Sequence, residues 1–295
     1  MEFLHDSLCQ TSTLAAPRIV SGSIKSGIGI EIDVQFDWIE RKSKPESHQN
    51  PPINAKFDAE YDGKRVGTAQ IQAIWPLIPG PNNRMILFSL FPPTNDPAAV
   101  SATQKLVSEF GAGRKLVLCL TNGGLAESSS SKDSPESLLL SKVLKSVTIQ
   151  LDLMAPESAT RVVNQVSGIL PPNFWQMTIH GRITLANPFD CTVNVLRIVG
   201  DCLYNGSAIG HVDAQFSQGD VVLEGRQSSS GCIVETPAVI IALNVNFEVI
   251  QSLMQMVSSG NPSVAGVTTV TCSFGGYEIA FDYSQAEIPL VLQLW

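Results

Sequence analysis

Apolar and polar residues alternate with period two over long stretches of this chain, the pattern of strands buried on one face and wet on the other. Over 28–38, Ile28, Ile30, Ile32, Val34, Phe36 and Trp38 fall on one face, and Gly29, Glu31, Asp33, Gln35 and Asp37 on the other. Over 54–61 the apolar set is Ala55, Phe57, Ala59 and Tyr61; over 277–283 it is Tyr277, Ile279, Phe281 and Tyr283. Further strands are predicted over 147–153 and 289–295. Helical periodicity replaces this pattern in two places. One is 97–111, with Val100, Leu106, Val107 and Phe110 to one side; the other is 246–260, with Val249, Ile250, Leu253 and Val257. Both end at glycine, a favoured helix stop.

The same short pattern, Tyr-x-Gly-x-x-(Val or Ile)-Gly, begins at Tyr61 and again at Tyr204, 143 positions on. Asp62-Gly63 and Asn205-Gly206 are favoured central pairs of a type I′ hairpin turn, in which both residues take positive φ. Gly67 and Gly210 then fall inside the next strand, where a missing side chain suits a bulge or a close backbone approach. Each hairpin is followed by strands, one helix and closing strands, and Gln150-Leu151 and Gln293-Leu294 keep the same 143-residue offset. The expected architecture is therefore all-β with one helix per domain: two tandem antiparallel β-sandwiches, with a leader at 1–16, a first domain at 17–153 and a second at 154–295.

Between these elements the polar segment 40–52 reads as an inserted surface loop, and the serine-rich 126–137 as a second loop. The domains join around 154–172, which is predicted to hold a short helix before Pro171. Asn50-Pro51 and Asn187-Pro188 are predicted at strand edges.

Composition narrows the function classes. Hydrophobic residues make up 44% and charged residues 16% of 295, so the chain can fill two cores and is not a disordered type. A net charge of −8 and a pI near 5.0 argue against a nucleic-acid partner. No basic cluster suits an anionic membrane surface, and no window reaches the roughly 18 apolar residues of a membrane span. The first residues, Met-Glu-Phe-Leu-His-Asp, do not read as a signal peptide. Cys9, Cys119, Cys191, Cys202, Cys232 and Cys272 are scattered, without metal-ligand spacing; free buried thiols are expected, which favours a reducing compartment.

From 181 to 213, the strand into Asn187-Pro188-Phe189, the Tyr204/Gly206/Gly210 hairpin and the strand–helix–strand tail together resemble the group-2 late embryogenesis abundant family, the water-stress and hypersensitive-response (WHy) domain. The likeness is fuller over 175–295 than over 17–153, where the inserted loop departs from the pattern. It is similar also to tandem copies in fungal vacuolar or membrane-anchored proteins. The resemblance implies an immunoglobulin- or fibronectin-like sandwich with one helix at an open end, and association with lipid or membrane surfaces in stress protection. It implies no catalytic residues and no cofactor, and a location in the cytoplasm or on the soluble side of an anchored protein.

His5, His48, His180 and His211 are far apart in sequence; His180 and His211 are brought to the same domain, without further metal ligands. Asp33 and Asp37 share a wet strand face, which suits solvation better than acid–base work. The glycine-rich 110–115 follows a helix and reads as its stop rather than as a phosphate cradle. Asn205-Gly206-Ser207 is a glycosylation sequon. The candidate binding residues are on the second helix: Val249, Ile250, Leu253, Met254 and Val257 would line an apolar cleft for an acyl chain, or else complete the core. The expectation is a non-enzymatic module for lipid or membrane surfaces, or alternatively a structural or adhesive module for a protein partner.

Overall fold

The computed structural model describes residues 12–15, 17–38, 53–75, 80–126, 135–154, 162–170, 178–225, 233–243, 249, 251, 254–255, 258 and 262–294. The loop expected at 40–52, with His48, lies outside them, as do His5, Cys9 and Cys232. The protein is all-β and folds as two compact units, each built on one hydrogen-bonded sheet. Unit 1 comprises Met1–Val20, Ser26–Thr103 and Lys115–Met154; unit 2 comprises Ser21–Lys25, Gln104–Arg114 and Ala155–Trp295.

Unit 1 carries strands β1 (Ser12–Leu14), β2 (Arg18–Ser23), β3 (Gly27–Trp38), β4 (Ile53–Tyr61), β5 (Lys64–Trp75), β6 (Gly80–Leu90), β7 (Lys115–Leu125) and β8 (Ile149–Met154). Their order across the sheet is β1-β3-β6-β5-β4-β7-β8, with β2 also on β3. Ile28, Ile30 and Ile32 with Ala55, Phe57 and Ala59, read as inward from the alternation, are buried in its core, where Ile86, Phe88 and Leu90 and Leu116, Leu118 and Leu120 join them. The leader expected at 1–16 is corrected at its end, because Ser12–Leu14 pairs with Val34–Phe36 and extends the sheet.

Helix α1 (Pro97–Gly111) starts as its sequence dictates. Proline stands at the first position, and Asp96 Oδ1 accepts from the amides of Ala98 and Ala99 at 3.0 and 3.3 Å. It stops in a Schellman turn: Gly113 takes φ 69°, its amide donates to Phe110 O at 3.0 Å, and the Arg114 amide donates to Glu109 O at 3.0 Å. A second helix, α2 (Pro135–Ser146), takes the last three residues of the loop expected at 126–137, of which 127–134 lie outside the described residues. Proline at its first turn and the run Leu138-Leu139-Leu140 favour helix once Leu144 is buried, and the serine-rich spelling upstream hid that start.

Unit 2 carries β9 (Val163–Leu170), β10 (Thr178–Ala186), β11 (Val193–Tyr204), β12 (Ser207–Gln215), β13 (Val222–Leu223), β14 (Ile233–Glu235), β15 (Val239–Leu243), β16 (Ser263–Phe274) and β17 (Tyr277–Leu294). β9 corrects the short helix expected before Pro171; its valines and isoleucine favour an extended backbone. Between β15 and β16 the described residues Val249, Gln251, Met254, Gln255 and Ser258 are helical.

The two hairpins are built alike. Asp62 and Gly63 have φ of 50° and 68°, and Asn205 and Gly206 of 48° and 81°, the left-handed pair that a type I′ turn requires. The register slips by one residue beyond each turn, so Val66 and Ile209 are bulged and Gly67 and Gly210 resume pairing with Ala59 and Cys202. A side chain at Gly67 would meet Ser89 O at 2.0 Å, whereas one at Gly210 would meet the Ile241 Cγ2 at 3.1 Å.

Strand order extends the duplication to the whole unit. In unit 1 neighbours run β2-β3-β6-β5-β4-β7-β8, and in unit 2 β9-β10-β15-β12-β11-β16-β17, the same path in the same chain order. In unit 2 that path closes: Leu290–Leu294 of β17 lies parallel to Val166–Leu170 of β9. The expected antiparallel sheet thus contains one parallel seam, which joins its ends into a ring.

Candidate functional site

The seam of unit 2 is held by a polar cluster. The Tyr283 hydroxyl accepts from the Val162 amide at 2.8 Å and donates to Gln285 Oε1 at 2.5 Å. Gln285 Oε1 also accepts from the Val163 amide at 3.0 Å, and its Nε2 donates to Val163 O at 2.7 Å. Burial pushes the Tyr283 phenol above its ordinary pKa, opposed by the two backbone contacts, so it stays a neutral donor. A glutamine on the inward side of β17, following Tyr277, Ile279, Phe281 and Tyr283, was the sequence signal for this cluster, and periodicity alone did not give its partners.

A second polar knot fixes the strand edge at Asn187-Pro188. Asn187 is buried, and its Nδ2 donates to the carbonyls of Cys191, Leu223 and Glu224 at 2.8, 3.0 and 2.9 Å. Its Oδ1 accepts from the Phe189 amide at 2.9 Å, and the Phe189 ring packs on Phe274 with centroids 5.7 Å apart. This side chain replaces backbone partners where the strand ends.

The interior of the ring holds an apolar cavity of about 70 Å³, lined among others by Val107 and Gly111 of α1, Phe281 and Tyr283 of β17, and Ile198 and Val264. The α1 segment is tied to β17 by Ser108, whose hydroxyl accepts from the Asp282 amide at 2.9 Å. An engineered apolar cavity of about 150 Å³ takes up a benzene, and this one has about half that volume. Its described lining comes from α1, the strands and the Asn187–Phe189 edge.

Of the residues expected to line a cleft there, Val249 is buried and Met254 is 54% exposed. Ile250, Leu253 and Val257 lie outside the described residues. Met254 is five positions beyond Val249, about 140° around a helix, so burial of one turns the other outward. The cleft expected on 246–260 rests mainly on residues outside the described ones.

The outer surface of the ring carries a different feature. Register places Ile240 of β15, His180 of β10 and Ile169 of β9 side by side on three neighbouring strands. Ile240 is 55% and Ile169 42% exposed, and His180 is exposed between them. One step along, Val291 of β17 pairs with Ser167 of β9 and is 42% exposed. Ile240 and Ile169 therefore flank one imidazole, with Val291 diagonal to Ile169 on the next strand. The run Val239-Ile240-Ile241-Ala242-Leu243 lacks alternation, the trace in the sequence of a strand that is apolar on both faces.

Another part of the outer face carries ion pairs. Arg197 holds Asp213 through two hydrogen bonds of 3.0 and 2.8 Å, and His211 Nδ1 lies 2.8 Å from Asp201 Oδ1. The arginine keeps the Asp213 carboxyl below its ordinary pKa. β15 runs between the strands of His180 and His211, opposite them at Ile240 and Ala242, which puts them about 12 Å apart. Among the described residues no three histidine, cysteine or acidic side chains come together as metal ligands. Cys119, Cys191, Cys202 and Cys272 are free thiols; burial pushes Cys191 and Cys202 up to about 11 and Cys272 to about 12.

No protein-family model and no curated protein sequence matches the chain. Solved structures to which it is similar include the BSP domain of a biofilm associated protein, at 11% identity and a TM-score of 0.18, over 97% of this chain and 54% of that one. Another is a partial N-terminal region of an enterococcal surface protein, at 8% identity and a TM-score of 0.18, over 94% of each chain. The chain thus spans about half the length of the first. At such TM-scores the likeness identifies neither topology nor function.

Proposed function

We propose that this chain is a non-enzymatic interaction module whose second unit docks a protein partner through the outward row Ile240, His180, Ile169 and Val291. The observation that carries the reading is the register itself: apolar side chains gathered on adjacent strands call for cover, whereas apolar residues scattered singly do not. The rigid ring beneath, closed by the Tyr283–Gln285 cluster, presents that row in one geometry and so lowers the entropy cost of docking. An acidic chain with pI near 5.0 favours a protein over a nucleic acid as the partner.

Membership of the WHy family belongs to the same proposal, supported by the hairpin, the Asn187-Pro188 edge and the helix between the last two pairs of strands. Lipid association is the competing use of such a surface, and the small interior volume favours surface contact over an internal acyl site. The test is co-purification from source cells, then reconstitution with the purified partner. The double variant Ile169→Lys/Ile240→Lys is expected to lose the complex, while Val267→Lys, on another part of the outer face, keeps it. Retention by both variants, or a wild-type protein that instead carries a stoichiometric lipid or sediments with phosphatidylcholine vesicles, overturns the reading.

A further inference from the structure

Along the matched strand path, the units part at the seam. In unit 2 the two ends of the path, β9 and β17, pair in parallel over five residue pairs. In unit 1 the equivalent ends are β2 and β8, and among the described residues no strand pairs with the outer edge of β8. One edge of β8 is bonded to β7, from Lys115 opposite Met154 to Leu120 opposite Ile149. Leu151 and Leu153 are buried in the core, while Gln150, Asp152 and Met154 face out. β2 does not follow β9: its end, Ser21–Ser23, belongs to unit 2, where a side chain at Gly22 would meet the Phe274 Cβ at 2.3 Å.

We infer that the outer edge of β8 is a strand-addition site, which takes an extended segment of a partner protein running parallel to β8. An unpaired strand edge is a template for such addition, with backbone hydrogen bonds giving affinity and alternate side chains giving selectivity. The sister unit defines the occupant. β9 lies in the equivalent place with Val166 and Gly168 turned inward and Ser167 and Ile169 outward, so the fitting segment alternates small apolar residues with polar ones and lacks proline. A second copy of this chain fits less well. Twofold symmetry would pair two β8 edges antiparallel, while the ring closes through a parallel strand. This surface is on unit 1 and stands independently of the apolar row of unit 2.

The test uses the full chain and a fluorescent peptide with the sequence of Val163–Leu170, followed by anisotropy, with residue-resolved amide exchange in parallel. In a β pair every second amide of a strand points to its partner, so three of the six amides of β8 are expected to be protected in the free protein. On saturation with peptide the other three slow by roughly tenfold or more, and a scrambled peptide leaves them unchanged. Protection of all six in the free, monomeric protein overturns the inference. So does saturable binding that leaves β8 exchange unaltered, or no binding at millimolar peptide. Protection that grows with protein concentration alone assigns the edge to a second copy and overturns it as well.

Discussion

Replacement of Asn187 tests most sharply how the strand edge of unit 2 is held. Asn187→Ala removes one acceptor and a donor group that serves three carbonyls, at 2.8 to 3.0 Å. A net hydrogen bond contributes about 1 kcal/mol, and a buried carbonyl left without a donor costs about 1–3 kcal/mol. The contact with Leu223 O is fully buried, while those with Cys191 and Glu224 are partly so, and water takes over some of their loss. The expected cost is therefore about 3 kcal/mol. In a urea titration followed by amide signals of unit 2, that lowers the midpoint by roughly 1–2 M. Asn187→Asp, although isosteric, is expected to cost more at neutral pH, because it turns a carboxylate oxygen towards three carbonyls that have lost their donor. Burial and those carbonyls raise the folded pKa of the new carboxyl. Its penalty is then largest above that raised pKa and falls as pH drops, so the two variants converge in acid. An Asn187→Ala midpoint within about 0.5 kcal/mol of wild type, or an Asp variant as stable as the Ala variant at pH 7, refutes this account of the edge.

Gly67→Ala is expected to destabilise by more than Gly210→Ala despite their equivalent places, since the first drives a methyl into Ser89 O and the second meets a movable Ile241 methyl; equal thermal shifts would contradict this. Iodoacetamide at pH 8, read by peptide mass spectrometry, should leave Cys191, Cys202 and Cys272 unmodified in the native state, because thiols raised to about 11 and 12 are thiolate in fewer than roughly one molecule in a hundred. Rapid labelling of Cys272 would show that unit 2 opens readily. Asp213, whose pKa is lowered by Arg197, contributes stability that is present above the ordinary carboxylate pKa and lost as pH falls through the lowered value. Melting curves of Asp213→Asn and wild type should therefore differ slightly at pH 7 and converge as pH falls through that lowered value. A gap that persists in acid would assign the effect to packing.

Much of the fold was legible because its signals are local. Alternation placed Ile28, Phe57 and Phe281 inward, and Asp62-Gly63 and Asn205-Gly206 fixed two turns whose φ angles depend on those residues alone. Strand β9 and helix α2 were misread for the opposite reason. Val163–Leu170 is extended because β10 and β17 flank it on both edges, and Pro135–Ser146 is helical because Leu144 finds a buried place; neither cause is near in sequence. The outward row was hidden because it depends on register. Ile169, His180 and Ile240 are brought together across three strands, and a one-residue slip would have turned each of them inward. The polar partners of Tyr283 and Gln285 lie more than a hundred positions away, beyond any periodic argument.

The claim on which the rest depends is that two copies of one strand path differ at the seam, closed in unit 2 and, among the described residues, open in unit 1. Amide-to-amide nuclear Overhauser contacts of the isotopically labelled full chain test it directly. The account predicts contacts of the parallel ladder between Val166–Leu170 and Leu290–Leu294, and none between Arg18–Val20 and Ile149–Met154. The same contacts at both seams, or at neither, would contradict it.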